Sequence, residues 1–126
     1  MMSVLKLHHG QVSIPEGAEE EARNFYCNFI GLTEIQKPES LGDRGGFWIQ
    51  LGEIQIHFGA EDGVDRRATK AHLAYQVADL AEWKVKLAGL GIEILDGIPI
   101  PNYKRFEFRD PFGNRVEFLQ RMNSSP

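Results

Sequence analysis

Arg109-Asp110-Pro111-Phe112-Gly113-Asn114-Arg115-Val116-Glu117-Phe118-Leu119 is a tight reversal followed by an alternating strand. Proline presets φ at one corner, and Gly113-Asn114 supplies two residues that tolerate left-handed backbone at little cost. Residues 106–109 and 115–120 are therefore predicted hairpin partners. Successive strand side chains emerge on opposite faces, so Val116 and Phe118 point one way while Arg115, Glu117 and Leu119 point the other. Glu117 thus shares a face with few apolar neighbours, and either bulk water or a site with chemistry must lie over that face.

Working upstream, the same alternation recurs. Residues 72–77 read as a strand with Leu73, Tyr75 and Val77 opposite His72, Ala74 and Gln76. Asp79-Leu80-Ala81-Glu82 has the N-cap and third-position acid of a capping-box variant. It opens a helix with Leu80, Trp83 and Leu87 as its apolar stripe, stopped by Gly89 and Gly91. A short strand over 92–95 and a Pro-Gly-rich loop over 96–103 lead into the hairpin, and Asn123 to Pro126 are expected to fray.

The first half follows the same plan. Residues 5–14 alternate as a strand, with Val12 and Ile14 on one face and Leu7, His9, Gln11 and Ser13 on the other. An apolar helical stripe over 19–30, with Ala18, Ala22, Phe25 and Phe29, begins in four glutamates that suit the positive end of a helix dipole and ends at Gly31. A short strand over 32–36 and a polar loop follow. A hairpin then joins 47–51 to 54–58, with Trp48, Gln50, Gln55 and His57 on one face and Phe47, Ile49, Ile56 and Phe58 on the other.

The chain is therefore two copies of strand, helix, strand, strand, strand, predicting an α+β fold of two βαβββ modules over about 5–60 and 70–122 of one domain spanning 1–126. His9 and His72 stand on first strands and Gln55 and Glu117 on last strands. The two spacings differ by one residue, as a single insertion in one turn produces. If the modules pack with approximate twofold symmetry, these four polar residues converge in one cleft.

Composition bounds what such a site can serve. With 126 residues, 42% of them hydrophobic, the chain can build a sizeable core. Net charge is −4 with Lys and Arg scattered, so no basic stripe argues for nucleic acid or an anionic membrane, and small molecules or protein partners remain. No apolar run suggests a signal peptide or membrane span. A single cysteine, Cys27, excludes an internal disulfide, fits a reducing cytoplasm and falls in an apolar helical pattern, as a buried spectator rather than a nucleophile does.

Four stretches, His9-x-x-Val-x-Ile-Pro15, Asn24-Phe-Tyr-x-x-Phe-Ile-Gly-Leu32, His72-Leu-Ala-Tyr-Gln-Val-Ala-Asp79 and Phe108-Arg-Asp-Pro-Phe-Gly-Asn-Arg-Val-Glu117, resemble the vicinal oxygen chelate superfamily. That superfamily includes glyoxalase I, extradiol dioxygenases, fosfomycin-resistance enzymes and bleomycin-resistance proteins. The resemblance implies a cupped, partly closed mixed sheet with helices on its convex side. It also implies a divalent ion, Zn, Ni, Mn, Co or Fe(II), held by His9, His72 and Glu117, with Gln55 at a fourth ligand position. It further implies a homodimer and a lyase or isomerase reaction on a small oxygen-chelating substrate, with Glu117 as base. The alternatives are Fe(II)-dependent extradiol cleavage and a non-catalytic, drug-resistance-like binding protein.

Two histidines and a carboxylate form a facial set that leaves open positions for substrate oxygens, although each residue singly is ordinary on a solvated sheet face. His57 shares the face of Gln55 and is read as substrate-lining, with a substitute ligand or a base as alternatives. Trp48 can stack on a substrate or simply pack. Tyr103 and Arg105 are candidate contacts for an anionic substrate, His8 is placed on the helix side, and Arg115 is expected to pair with Glu107 across the hairpin.

Overall fold

A computed structural model describes residues 2–122, so the expected fraying of Asn123 to Pro126 lies outside the described residues. The chain divides into two compact units, Met1–Val64 and Asp65–Pro126. The first runs β1 (His9–Ile14), α1 (Glu19–Arg23), β2 (Thr33–Ile35), β3 (Phe47–Leu51) and β4 (Ile54–Ala60). The second runs β5 (His72–Gln76), α2 (Leu80–Gly89), β6 (Leu95–Asp96), β7 (Tyr103–Arg109) and β8 (Arg115–Arg121). Each unit is βαβββ, and each sheet is mixed: β1-β4-β3-β2 in one and β5-β8-β7-β6 in the other, with the first and last strands parallel. The fold is α+β, as the repeat predicts.

In the first unit the buried face carries Phe47, Ile49, Ile56 and Phe58, with Phe47 and Phe58 stacked at 4.6 Å. The helical segment covers this face: Tyr26 packs on Phe58 at 4.6 Å, and the Arg23 guanidinium lies 5.0 Å from the Phe47 ring centre. The expected single α-helix over 19–30 is instead α1 followed by a π-helical turn, Asn24–Phe29, in which Ile30 N–H donates to Phe25 C=O at 2.9 Å. Phe25 and Tyr26, consecutive on this turn, are both buried. The first strand begins at His9 rather than at residue 5, because β4 offers its first partner there, at Gln55. Leu5 and Leu7 are exposed.

Gly46 requires its glycine: φ is +78°, and a Cβ there would meet the Phe58 carbonyl oxygen at 2.0 Å. Glu19 anchors the same loop, accepting a hydrogen bond from Gly46 N–H at 2.9 Å.

In the second unit Phe106, Phe108, Val116 and Phe118 are buried together, and Trp83 of α2 meets Phe118 edge-on at 5.4 Å. Asp79 caps α2 by accepting from Glu82 N–H at 3.1 Å, the bond that the capping pattern predicts. The reversal after β7 is held by Asp110, which is almost fully buried. Its carboxylate accepts from the N–H groups of Phe112 and Asn114 and from the Asn114 side-chain amide, at 2.8–2.9 Å. The short strand expected over 92–95 is displaced to Leu95–Asp96, where Leu95 pairs with Glu107. Among the described residues, no helix is long and apolar enough to cross a membrane.

Candidate metal centre

On the face of the second sheet opposite the phenylalanines, β8 brings up Glu117 and β7 brings up Arg105 and Glu107, because residues two apart share a face. Glu107 and Glu117 pair directly across the two strands. Two carboxylates so placed repel, and cations surround them. Arg115 forms a close ion pair with Glu107, as the sequence predicts, and holds that carboxyl below its usual range. The Arg105 guanidinium sits 3.3 Å from Glu117 Oε1. Arg105 is itself fixed: its Nε donates to Ile98 C=O at 2.8 Å and its guanidinium lies over Gly97, where a Cβ would collide with it.

His72 completes the group. Its Nε2 is 3.1 Å from Glu117 Oε1, and its Nδ1 is 2.8 Å from Lys70 C=O. A carbonyl oxygen can only accept, so Nδ1 carries a proton. In the neutral ring Nε2 is then a lone pair aimed at a carboxylate oxygen, two acceptors face to face. A cation belongs between them, either a second proton on the ring or a metal ion. Ligand atoms of His72, Glu107 and Glu117 all lie within 4.8 Å of one another, and Glu117 is buried. Nitrogen and oxygen donors of this kind suit Zn, Mn, Co, Ni or Fe(II), and the Nδ1 contact to a backbone carbonyl is the second-shell bond that orients ligating histidines. The residues present fit a divalent ion.

The first unit assembles a different set at the matching positions. His9 pairs with Gln55 across β1 and β4. His57 is sandwiched between Trp48, 3.7 Å away at 2° between planes, and His9, 4.1 Å away at 14°. His57 Nε2 is 2.9 Å from Gln55 Oε1. Burial, aided by His9 and His8, pushes the His57 imidazole below its usual range. His8 is exposed rather than turned to the helix, and its Nδ1 meets His9 Nδ1 at 3.0 Å.

Within each unit, then, the expected site residues gather: His9, Gln55, His57 and Trp48 in one, His72, Glu117 and Arg105 in the other. Tyr103 is on the same face of β7 as Arg105 but opposite Arg121, well along the strand from Glu117. Glu107 was missing from the expected ligands. Its signal was present, since it alternates in phase with Arg105 and the turn length sets it opposite Glu117. The Cys27 thiol is pushed up by burial and by Glu34, the state of an unreactive cysteine.

Residues 8–118 match the model of the Glyoxalase/Bleomycin resistance protein/Dioxygenase superfamily. The chain belongs to this superfamily. No curated protein matches it significantly. Among solved structures, a Bacillus anthracis protein assigned to the glyoxalase family is 43% identical, with a TM-score of 0.85 over 96% of this chain and 98% of that one. Two more distant structures share the fold. Fosfomycin resistance protein FosX from Listeria monocytogenes, complexed with Mn(II) and sulfate, is 17% identical, with a TM-score of 0.71 over 98% of this chain and 93% of that one. TnmS3, an antibiotic binding protein from Streptomyces sp. CB03234, is also 17% identical, with a TM-score of 0.71 over 96% and 99%.

Proposed function

We propose that the protein is a metal-dependent lyase or isomerase of glyoxalase type, acting on a small substrate that presents oxygens on adjacent atoms. The observation that carries this reading is the contact of His72 Nε2 with the buried Glu117 Oε1 at 3.1 Å, inside a cluster with Glu107 whose ligand atoms lie within 4.8 Å of one another. His9, His72 and Glu117 would hold the ion, with Gln55 beside His9 at the fourth matched position. When bound, a divalent ion supplies Lewis-acid stabilisation of negative charge developing on substrate oxygen.

The remaining work falls to side chains. Glu117 takes the proton that the substrate loses, and its burial shields that proton from bulk water. Arg105, fixed by Ile98 and Gly97, offers a guanidinium to an anionic group of the substrate. Trp48 and His57 present a flat surface beside His9, and Tyr103 lines the far end of β7. A cytoplasmic homodimer that takes a small molecule, and neither nucleic acid nor membrane, completes the reading.

Elemental analysis of protein purified without chelators, repeated on His9→Ala, His72→Ala and Glu117→Ala, tests it. Stoichiometric metal in the parent and loss in all three variants is the expected result; retention in all three sinks the ligand set. Oxygen consumption with catechols by Fe(II)-loaded protein would instead indicate extradiol chemistry.

A second reading, a non-catalytic binder of small molecules, draws on one observation. Glu107 and Glu117 are matched in charge by Arg115 and Arg105, so this face is electrically balanced without a metal. A purified protein free of metal, whose thermal melt ignores chelators, favours the binder.

A further inference from the structure

Glu107 lies on β7 directly opposite Glu117 on β8, while His72 on β5 is opposite Arg115, two residues from Glu117 on the same face. The order β5-β8-β7 makes these strands neighbours, so one imidazole and two carboxylates gather within the second unit alone. Like charges directly opposite across strands are destabilising. Here both carboxylates are also largely withdrawn from solvent, with side-chain exposures of 12% for Glu107 and 10% for Glu117.

Their spacing suits an ion. Donor atoms about 2.1 Å from a first-row divalent ion stand about 3.0–3.4 Å apart when adjacent and about 4.2 Å apart when opposite. His72 Nε2 and Glu117 Oε1 are 3.1 Å apart, and one donor atom from each of His72, Glu107 and Glu117 lies within 4.8 Å of the other two. Each donor is also held from outside the trio. His72 Nδ1 donates to Lys70 C=O at 2.8 Å, Arg115 donates to Glu107 Oε2, and Arg105 Nη1 is 3.3 Å from Glu117 Oε1. These contacts leave Glu107 Oε1 and Glu117 Oε2 without a partner among the described residues. Ligating carboxylates are themselves hydrogen-bonded in this way, so the arginine pairs and an ion are compatible.

We propose that Glu107 is a metal ligand, joining His72 and Glu117 on the polar face of the second sheet. The inference rests on the metal-dependent reading above and adds a second carboxylate to its ligand set. One nitrogen and two oxygens then come from three adjacent strands of a single unit. Two carboxylates together match the charge of a divalent ion, which relieves the repulsion across β7 and β8.

Titration of Co(II), followed by its visible spectrum, into the full-length parent and into Glu107→Gln, Glu107→Asp and Glu117→Gln tests the proposal. Glu107→Asp keeps the charge and withdraws the carboxylate by one C–C bond, about 1.5 Å, so it separates a bound oxygen from a charge acting through space. Both Glu107 variants should bind Co(II) at least about tenfold more weakly than the parent, since losing a ligand costs no less than losing an outer-shell partner. Both should also change the visible spectrum. One variant preserves size and the other charge, so if circular dichroism of the metal-free proteins shows one misfolded, the spectrum of the other decides. Parent-like affinity or a parent-like spectrum in a folded Glu107 variant overturns the proposal. If Glu117→Gln loses Co(II) in the same series, the metal-dependent reading then stands without Glu107. A parent protein that takes up no Co(II) overturns both.

Discussion

The two units share a frame and differ in what stands on it. Both are βαβββ, both bury phenylalanines on the helix side, and both pair first and last strands in parallel. On the opposite face the first unit places stacked rings around an amide, and the second places two carboxylates among two guanidiniums and a histidine. A repeat can therefore keep its core while its matched polar positions diverge into a half of stacked rings and a charged half. Core positions are constrained by packing on both sides, whereas the polar face is free to change wherever local partners can satisfy it.

If the frames are equivalent, Phe58→Ala and Phe118→Ala should each destabilise by about 3–5 kcal/mol in denaturant unfolding. A cost below about 1 kcal/mol for either would break the equivalence. Gly46→Ala should come next, at about 3 kcal/mol, since its Cβ meets immovable backbone at positive φ. Gly52→Ala, with positive φ but open space, should cost about 1 kcal/mol.

The two hairpin turns sharpen the comparison further. Asp110→Ala removes the lock on the second and should cost about 2 kcal/mol, while Glu53→Ala in the first should fall within about 0.5 kcal/mol.

The smallest effect is in acid. Glu107 has its folded-state pKa depressed below the ordinary 4.5, first by the Arg115 hydrogen bond. Its contribution to stability is present above that ordinary value and is lost as pH falls through the folded one. Glu107→Gln should flatten the stability curve below about pH 4.5 and leave the slope near neutrality unchanged, as followed by unfolding at a series of pH values.

Much of this arrangement was legible in the residues. Asp110 to Asn114 announced a turn, Asp79 and Glu82 announced a cap, and strict alternation sorted Trp48, Gln55 and His57 from Phe47, Ile56 and Phe58. The π-helical turn was not legible, because Phe25 and Phe29 satisfy an α-helical stripe equally well. Strand onset at His9 depended on where a parallel partner ends, which periodicity does not encode. Glu107 was assigned to Arg115 and overlooked beside Glu117, since a cross-strand pair becomes visible only when register is fixed. The stack of Trp48, His57 and His9 depended on ring orientations, which alternation leaves open.

The charged half is the centre of the account, and titration of Mn(II) into the purified protein and its Glu117→Gln variant tests it most directly. The account predicts one ion per chain in the parent and binding weaker by about 100-fold or more in the variant, at or beyond the roughly 10–100-fold attached to outer-shell partners. Equal affinity in the two proteins, or no ion in the parent, would contradict it.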